Sequence, residues 1–335
     1  MGGAPLWPFC LQRSSGWLAG KVCDPMKLVT HSGRFHQDEV TATAILVRIY
    51  PHAEVVRTRD PVEIETGDIV YDVGRVFDPA RRRFDHHQRG FNETFSKKYH
   101  IKMSSAGLVF KYFCGEFLQT YSFDTGDSMF DTLVDSIYSD FFLGIDGVDN
   151  GYDFEGAYRV RGLSDLVSSF NPPGDSDSST QNRRFMECMN VVQTDLDNFM
   201  DHKLRFWLPK YRLARSSVEA CEGKIIVCEE YIPPAMVLDV ESEFGKDIKF
   251  VVVSKVDEAR VYAVPASRKG FGSKVPLREE WRGLEGDELA ETSGIRDALF
   301  VHAVCPAKRA FLIHPIGLPL QEKPAHLPWN SALRA

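Results

Sequence analysis

The sequence predicts an α/β protein: an N-terminal domain built on a parallel sheet, then a second, smaller α+β domain, with a cleft between them. From residue 27 onward strand-like runs alternate with helix-like runs, the pattern of a parallel sheet with crossover helices. The 335 residues amount to about two domains at roughly 100–200 residues each. Past residue 207 the chain changes to short β-rich runs separated by turn formers, so the second domain carries a sheet of its own.

Residues 1–24 hold Arg13 and Lys21 but no acid before Asp24. They read either as a mitochondrial targeting segment or as an ordinary extension, with Pro5, Pro8, Gly16 and Gly20 opposing an amphipathic helix. Residues 27–30 form a first strand and 31–37 a polar loop. A helix follows over 38–50, with Val40, Ala44, Ile45 and Val47 available for burial and acids in its first turn. Strands are expected at 54–57 and 69–72, with Pro61 opening a short helix between them, and an extended return at 83–88. Helical periodicity resumes over 104–119 and 127–143. The Pro-, Gly- and Ser-rich run 171–180 reads as a flexible loop, and 182–207 as a long connecting helix. Strands close the pattern at 224–228, 248–253 and 261–264. The resulting domains are 25–180 and 181–303, with a tail over 304–335.

Hydrophobic residues at 43% and charged residues at 26% are an ordinary globular balance, which excludes a broadly disordered chain. The longest apolar runs fall far short of the roughly 18 residues of a membrane span, so no membrane partner is expected. The 7 cysteines are scattered without a C-x-x-C pair and read as reduced thiols of an intracellular protein. A formal net charge of −7 argues against coating duplex nucleic acid by bulk charge, so any polyanion must meet a local basic groove.

Chemistry concentrates early in the chain. His31, His36, His86 and His87 lie near one another in sequence together with Asp38, Asp72 and Asp85. In a parallel sheet, groups just beyond the carboxyl ends of strands share one edge, which brings His31, His36 and Asp72 together. Imidazole nitrogens mixed with carboxylate oxygens suit a borderline divalent ion such as Mn²⁺. Mg²⁺ prefers oxygen, and structural Zn²⁺ usually recruits cysteine. Two divalent cations sharing a carboxylate can activate a water and hold a phosphoryl centre. Asp146 or Asp149, three residues apart, completes such a set.

THSGRFHQDE, IVYDVG, RRRFDHHQRGF and IDGVDNG, in this order, resemble the melanocyte-proliferating-gene (Myg) exonuclease family, a branch of the DHH phosphoesterase superfamily. VVRTRDP at 55–61, SSAGLV at 104–109 and stretches between Lys274 and Ala303 extend the resemblance over about 26–303. It implies a two-lobed α/β protein whose DHH-type catalytic domain holds a Mn²⁺- or Mg²⁺-type centre with two divalent cations. It also implies 3′ to 5′ exoribonuclease activity on single-stranded RNA, in mitochondria, the nucleus or both. Position by position, His31, His36 and Asp38 match the first motif, Asp72 the second, and Asp85, His86 and His87 the third. Asp146 is the first choice for the fourth, with Asp149 its alternative. His36 stands where the superfamily usually has an aspartate, which leaves open which of His31 and His36 binds metal directly. Asp85, His86 and His87 are the expected catalytic group, His87 as proton donor to the leaving group or as support for a carboxylate.

Substrate contacts are expected from Arg89 and from Ser104 and Ser105, which read either as phosphate ligands at a helix start or as simple N-caps. In the second domain they are expected from Arg268, Lys269 and His302, with Phe271 stacking a base. After Ala303 the chain leaves the family pattern, and Pro306, Pro315, Pro319, Pro324 and Pro328 oppose a regular helix or inner strand there. Two rival functions share these features: hydrolysis of small nucleotides or pyrophosphate, and a noncatalytic RNA- or protein-binding module stabilised by metal. The oligomeric state is open.

Overall fold

The computed structural model describes residues 25–152, 160–255, 258–268 and 272–302, and the backbone of 311–313. The 1–24 extension, Lys269, Phe271 and the tail apart from 311–313 lie outside the described residues. The chain divides into two compact units, one ending at Asp201 and the other beginning at His202.

The first unit is built on a sheet whose strands are β1 (Lys27–Thr30), β2 (Glu54–Arg57), β3 (Ile69–Tyr71), β4 (Phe77–Asp78) and β5 (Arg83–Phe84), in the order β2-β1-β3-β5-β4. β1 runs parallel to both β2 and β3, β3 parallel to β5, and β4 is the antiparallel edge. The chain passes from β1 to β2 on one side and then crosses to β3 on the other, so the carboxyl end of β1 is the switch point of the sheet, where a crevice forms. The loops after β1, β3 and β5 therefore open on the same edge. The central strands β1 and β3 are short, largely buried runs, as parallel strands covered on both faces require.

α1 (Gln37–Ile49) packs against α3 (Ser105–Gln119), while α2 (Pro61–Glu65) opens on a proline capped by Asp60. The helix expected over 127–143 is instead α4 (Phe130–Ile137), a π turn (Tyr138–Phe142) and α5 (Leu143–Asp149). The wider turn accompanies two aromatic stacks: Tyr138 lies 3.6 Å centroid to centroid on Phe95, and Phe142 lies 4.3 Å on Phe110. α6 (Leu163–Ser168) follows. α7 (Ser178–His202) starts earlier than periodicity suggested, because Asp177 accepts from the Thr180 N–H at 2.8 Å and caps it. Val40 and Ala44 of α1 share a core with Phe185, Cys188, Met189 and Val192 of α7.

The second unit contains α8 (Leu208–Ala220), β6 (Ile225–Cys228), α9 (Pro234–Val240), β7 (Phe250–Ser254), β8 (Ala259–Ala263), α10 (Gly286–Ser293), β9 (Ala298–Val301) and β10 (Phe311–Ile313). Its sheet has the order β6-β7-β8-β10-β9, with only β6 and β7 parallel. Phe250, Val252, Val261, Trp281 and Leu289 form its core. β10 corrects the expectation of an irregular tail. It is an inner strand that fits between Pro306 and Pro315 without containing either, so every ladder donor is present. Among the described residues no helix is long and apolar enough to cross a membrane.

Candidate metal centre

β1 ends at Thr30 and delivers His31 to the switch point. The loop that follows is held from outside. The Arg57 guanidinium donates to the Gly33 carbonyl at 2.7 Å, while Asn171 accepts from the Phe35 N–H at 2.9 Å and donates to its carbonyl at 2.8 Å. This sets His36 as the exposed N-cap of α1. Its backbone N–H donates to Glu39 at 2.9 and 3.0 Å. Asp38 and Glu39, in the first turn, are both buried.

Asp72 directly follows β3 in the left-handed region, φ 57°, a conformation that aspartate tolerates better than most side chains. Asp85 follows β5. It accepts the Arg75 N–H at 2.6 Å, the His87 N–H at 3.0 Å and His87 Nδ1 at 2.8 Å. Its carboxylate thus ties the β5 turn to the β3 turn and orients His87.

Asp72 is the centre of the cluster. His31 Nε2 lies 3.2 Å from its Oδ2 and 2.9 Å from Glu39 Oε1, and His86 Nε2 lies 3.1 Å from its Oδ1. His86 Nε2 is also 3.7 Å from Asp38 Oδ2 and 3.5 Å from Asp149 Oδ2. Among the described residues, the groups with ligand atoms within 4.8 Å of one another are His31, His36 and Glu39; Asp72, His86 and His87; Asp38, His86 and Asp149; and Asp38, Glu39 and Asp72.

Electrostatics reflect crowding of carboxylates around imidazoles. Burial alone would lower His31, but hydrogen bonds to Asp72 and Glu39 and their charges outweigh it and hold the imidazole at about 10. His86 is held at about 9 in the same way, against burial, by Asp72, Asp38 and Asp149. Burial and the charge of Asp72 push Asp38 up, and burial pushes Glu39 up to about 8. Burial together with the Asp38 charge pushes Asp149 up to about 7. Asp72 goes the other way, because its bonds to both imidazoles outweigh burial.

The donor set fits a divalent cation. Asp38 Oδ1 is buried without a hydrogen-bond partner, a costly state for a carboxylate oxygen that a bound cation relieves. Nitrogen and oxygen donors together suit Mn²⁺ and tolerate Mg²⁺.

Two expected ligands stand outside these groups among the described residues. Asp146 is fully buried and accepts from the Ser104 N–H at 2.9 Å, the Ser104 hydroxyl at 2.6 Å, the Gly107 N–H at 3.2 Å and the Tyr138 hydroxyl at 2.7 Å. It belongs to none of the ligand groups, and neither does Asp85. Ser104 and Ser105, expected at phosphate, are fully buried, and the Ser105 hydroxyl donates to Asp38 Oδ2 at 2.8 Å. Arg89 is exposed. In the second unit, Arg268 is exposed and paired with Asp239, while His302 is half-buried with its ring 6.0 Å from that of Phe300. Glu39 is the residue that sequence reasoning missed, because an acid in a first helical turn is usually explained by the helix dipole alone. Its spacing three residues after His36 is the capping-box signal that could have found it.

A model of the MYG1 exonuclease family, described as an uncharacterised protein family (UPF0160), matches residues 27–305. The chain belongs to the MYG1 exonuclease family. Among its MYG1 relatives, the human MYG1 exonuclease is 35% identical over 84% of this chain and 81% of its own length. The MYG1 protein C694.04c of Schizosaccharomyces pombe is 34% identical over 83% and 91%, and the Dictyostelium discoideum MYG1 protein 32% over 83% and 90%. Among solved structures, RecJ of Thermus thermophilus in complex with Mn²⁺ is similar at 14% identity and a TM-score of 0.23, over 87% of this chain and 49% of that one. An exonuclease RecJ bound to manganese is similar at 15% identity and 0.23, over 87% and 86%.

Proposed function

We propose that this protein is a metal-dependent phosphodiesterase, a 3′ to 5′ exonuclease of single-stranded RNA. The observation that carries the reading is Asp72, which presents one carboxylate oxygen to His31 and the other to His86. That disposition suits a carboxylate shared by two divalent cations, with His31, His36 and Glu39 on one side and Asp38, His86 and Asp149 on the other. Bound Mn²⁺ or Mg²⁺ would supply Lewis-acid activation of water and neutralise phosphate charge. The human, rat and bovine relatives, each a MYG1 exonuclease, support a nuclease.

The chain's own residues do the rest. Asp85 holds His87 through Nδ1, which leaves Nε2 to pass a proton to the leaving oxygen. Arg59, whose guanidinium lies 3.1 Å from His31 Nδ1, and exposed Arg89 are suited to phosphate oxygens at the rim. Arg268, Lys269 and His302 are the second unit's candidates for the substrate backbone, and mitochondrial or nuclear RNA is the substrate pool.

Incubation of the purified chain with 5′-end-labelled oligoribonucleotide tests this. The expected result is a ladder shortening from the 3′ end that requires Mn²⁺ or Mg²⁺ and vanishes with chelator. Intact RNA beside rapid release of phosphate from pyrophosphate would replace the proposal with a small-substrate hydrolase.

A further inference from the structure

The Asp146 carboxylate reaches across to the start of α3, whose first turn in turn grips the metal cluster. Asp146 Oδ1 accepts from the Ser104 N–H, the Ser104 hydroxyl and the Gly107 N–H, and Oδ2 accepts from the Tyr138 hydroxyl. Every partner is a donor and each contact is within ordinary hydrogen-bond length. The next residue, Ser105, donates its hydroxyl to Asp38 Oδ2 at 2.8 Å, while Asp38 Oδ1 is the buried oxygen with no partner. α5 is tied to α1 as well, since Gln37 Nε2 donates to the Ile145 carbonyl at 3.3 Å. One turn beyond Asp146 on α5 stands Asp149, 3.5 Å from His86 Nε2.

We infer that Asp146, Ser104 and Ser105 form a positioning relay that orients the Asp38 carboxylate beside His86 and keeps Asp149 within reach of the same imidazole. The inference rests on the metal-centre reading above. Its physical content is orientational. Ser105 holds Asp38 Oδ2, the oxygen that lies 3.7 Å from His86 Nε2, and so fixes how the carboxylate is presented to the centre, while Asp146 fixes Ser105 by locking the first turn of α3. Ligand-orienting partners of this kind typically change metal affinity by about 10- to 100-fold when removed. Gly107 fits the same account. A Cβ there would stand 2.2 Å from Asp146 Oδ2, so the carboxylate occupies space that only glycine leaves open.

Calorimetric titration of the full chain with Mn²⁺, together with melting temperatures measured without metal, tests the relay. Ser105→Ala removes one hydroxyl and tests the last link. Asp146→Asn keeps the shape and tests the anchor. Asp149→Asn serves as the direct-ligand comparison. The relay predicts that Ser105→Ala and Asp146→Asn bind Mn²⁺ about 10- to 100-fold more weakly with unchanged stoichiometry, while Asp149→Asn binds fewer ions. A lower melting temperature in Ser105→Ala with unaltered Mn²⁺ affinity would overturn the relay in favour of a merely structural role. Loss of an ion in Asp146→Asn would overturn it in favour of direct ligation. Failure of the unsubstituted chain to bind Mn²⁺ would overturn the metal-centre reading itself, and the relay with it.

Discussion

The Asp72 carboxylate meets His86 Nε2 at 3.1 Å, joining the carboxyl ends of the neighbouring parallel strands β3 and β5. Asparagine has nearly the shape of aspartate and also tolerates the left-handed backbone at this position (φ 57°). Asp72→Asn therefore removes charge with little change of shape. Turnover of labelled RNA is expected to fall by on the order of 10²- to 10³-fold, the scale of losing one charge-stabilising group in an active site. A variant cleaving at the parental rate would remove Asp72 from the mechanism.

The pH dependence of metal binding follows from the raised imidazoles. His31 at about 10 and His86 at about 9 bind more protons folded than unfolded above 6.5. The stability they lend the metal-free protein is thus complete below about 6.5 and is lost as pH climbs through those values. Buried Glu39, at about 8, and Asp149, at about 7, act with the same sign over lower windows. The metal-free melting temperature should therefore fall from about pH 6.5 to about pH 8.5, while Mn²⁺ binding, which must expel these protons, tightens. Melting curves with and without Mn²⁺ across that range should diverge; parallel curves would contradict the assignment.

Gly107→Ala reverses the usual effect of that substitution. In an ordinary helix alanine gains roughly 0.5–1 kcal/mol over glycine. Here the new Cβ would sit 2.2 and 2.6 Å from the Asp146 oxygens, and these are buried and held by their donors. Urea unfolding is expected to show a loss of roughly 1–3 kcal/mol, the scale of overpacking.

Asn171→Ala leaves both backbone groups of buried Phe35 without their side-chain partner. The stability cost should be on the order of 2 kcal/mol, as for buried polar groups left unpaired. Freeing the loop between His31 and His36 should also weaken Mn²⁺ binding. Urea midpoints and Mn²⁺ titration of the variant read the two effects separately.

Much of this centre was legible along the chain. His31, His36 and Asp72 are the residues that the alternating pattern gathers on one edge, whereas His86 lay inside the expected extended run 83–88 and stands beyond the end of the shorter β5. The division of labour within α5 was not legible. Asp146 and Asp149 are both acids in IDGVDNG. What separates them is the first turn of α3 and the Tyr138 hydroxyl, which saturate the first and leave the second facing His86. The contacts of Asp85 were hidden for a related reason, since the Arg75 N–H that it accepts arrives from another turn. The π turn at Tyr138–Phe142 was hidden too, because it follows from stacking on Phe95 and Phe110, distant in sequence.

Anomalous scattering from crystals soaked in Mn²⁺ tests the central claim most directly. The account predicts manganese peaks within coordination distance of Asp72, one beside His31 and the other beside His86 and Asp149. Peaks confined to other surfaces, with none at Asp72, would contradict it.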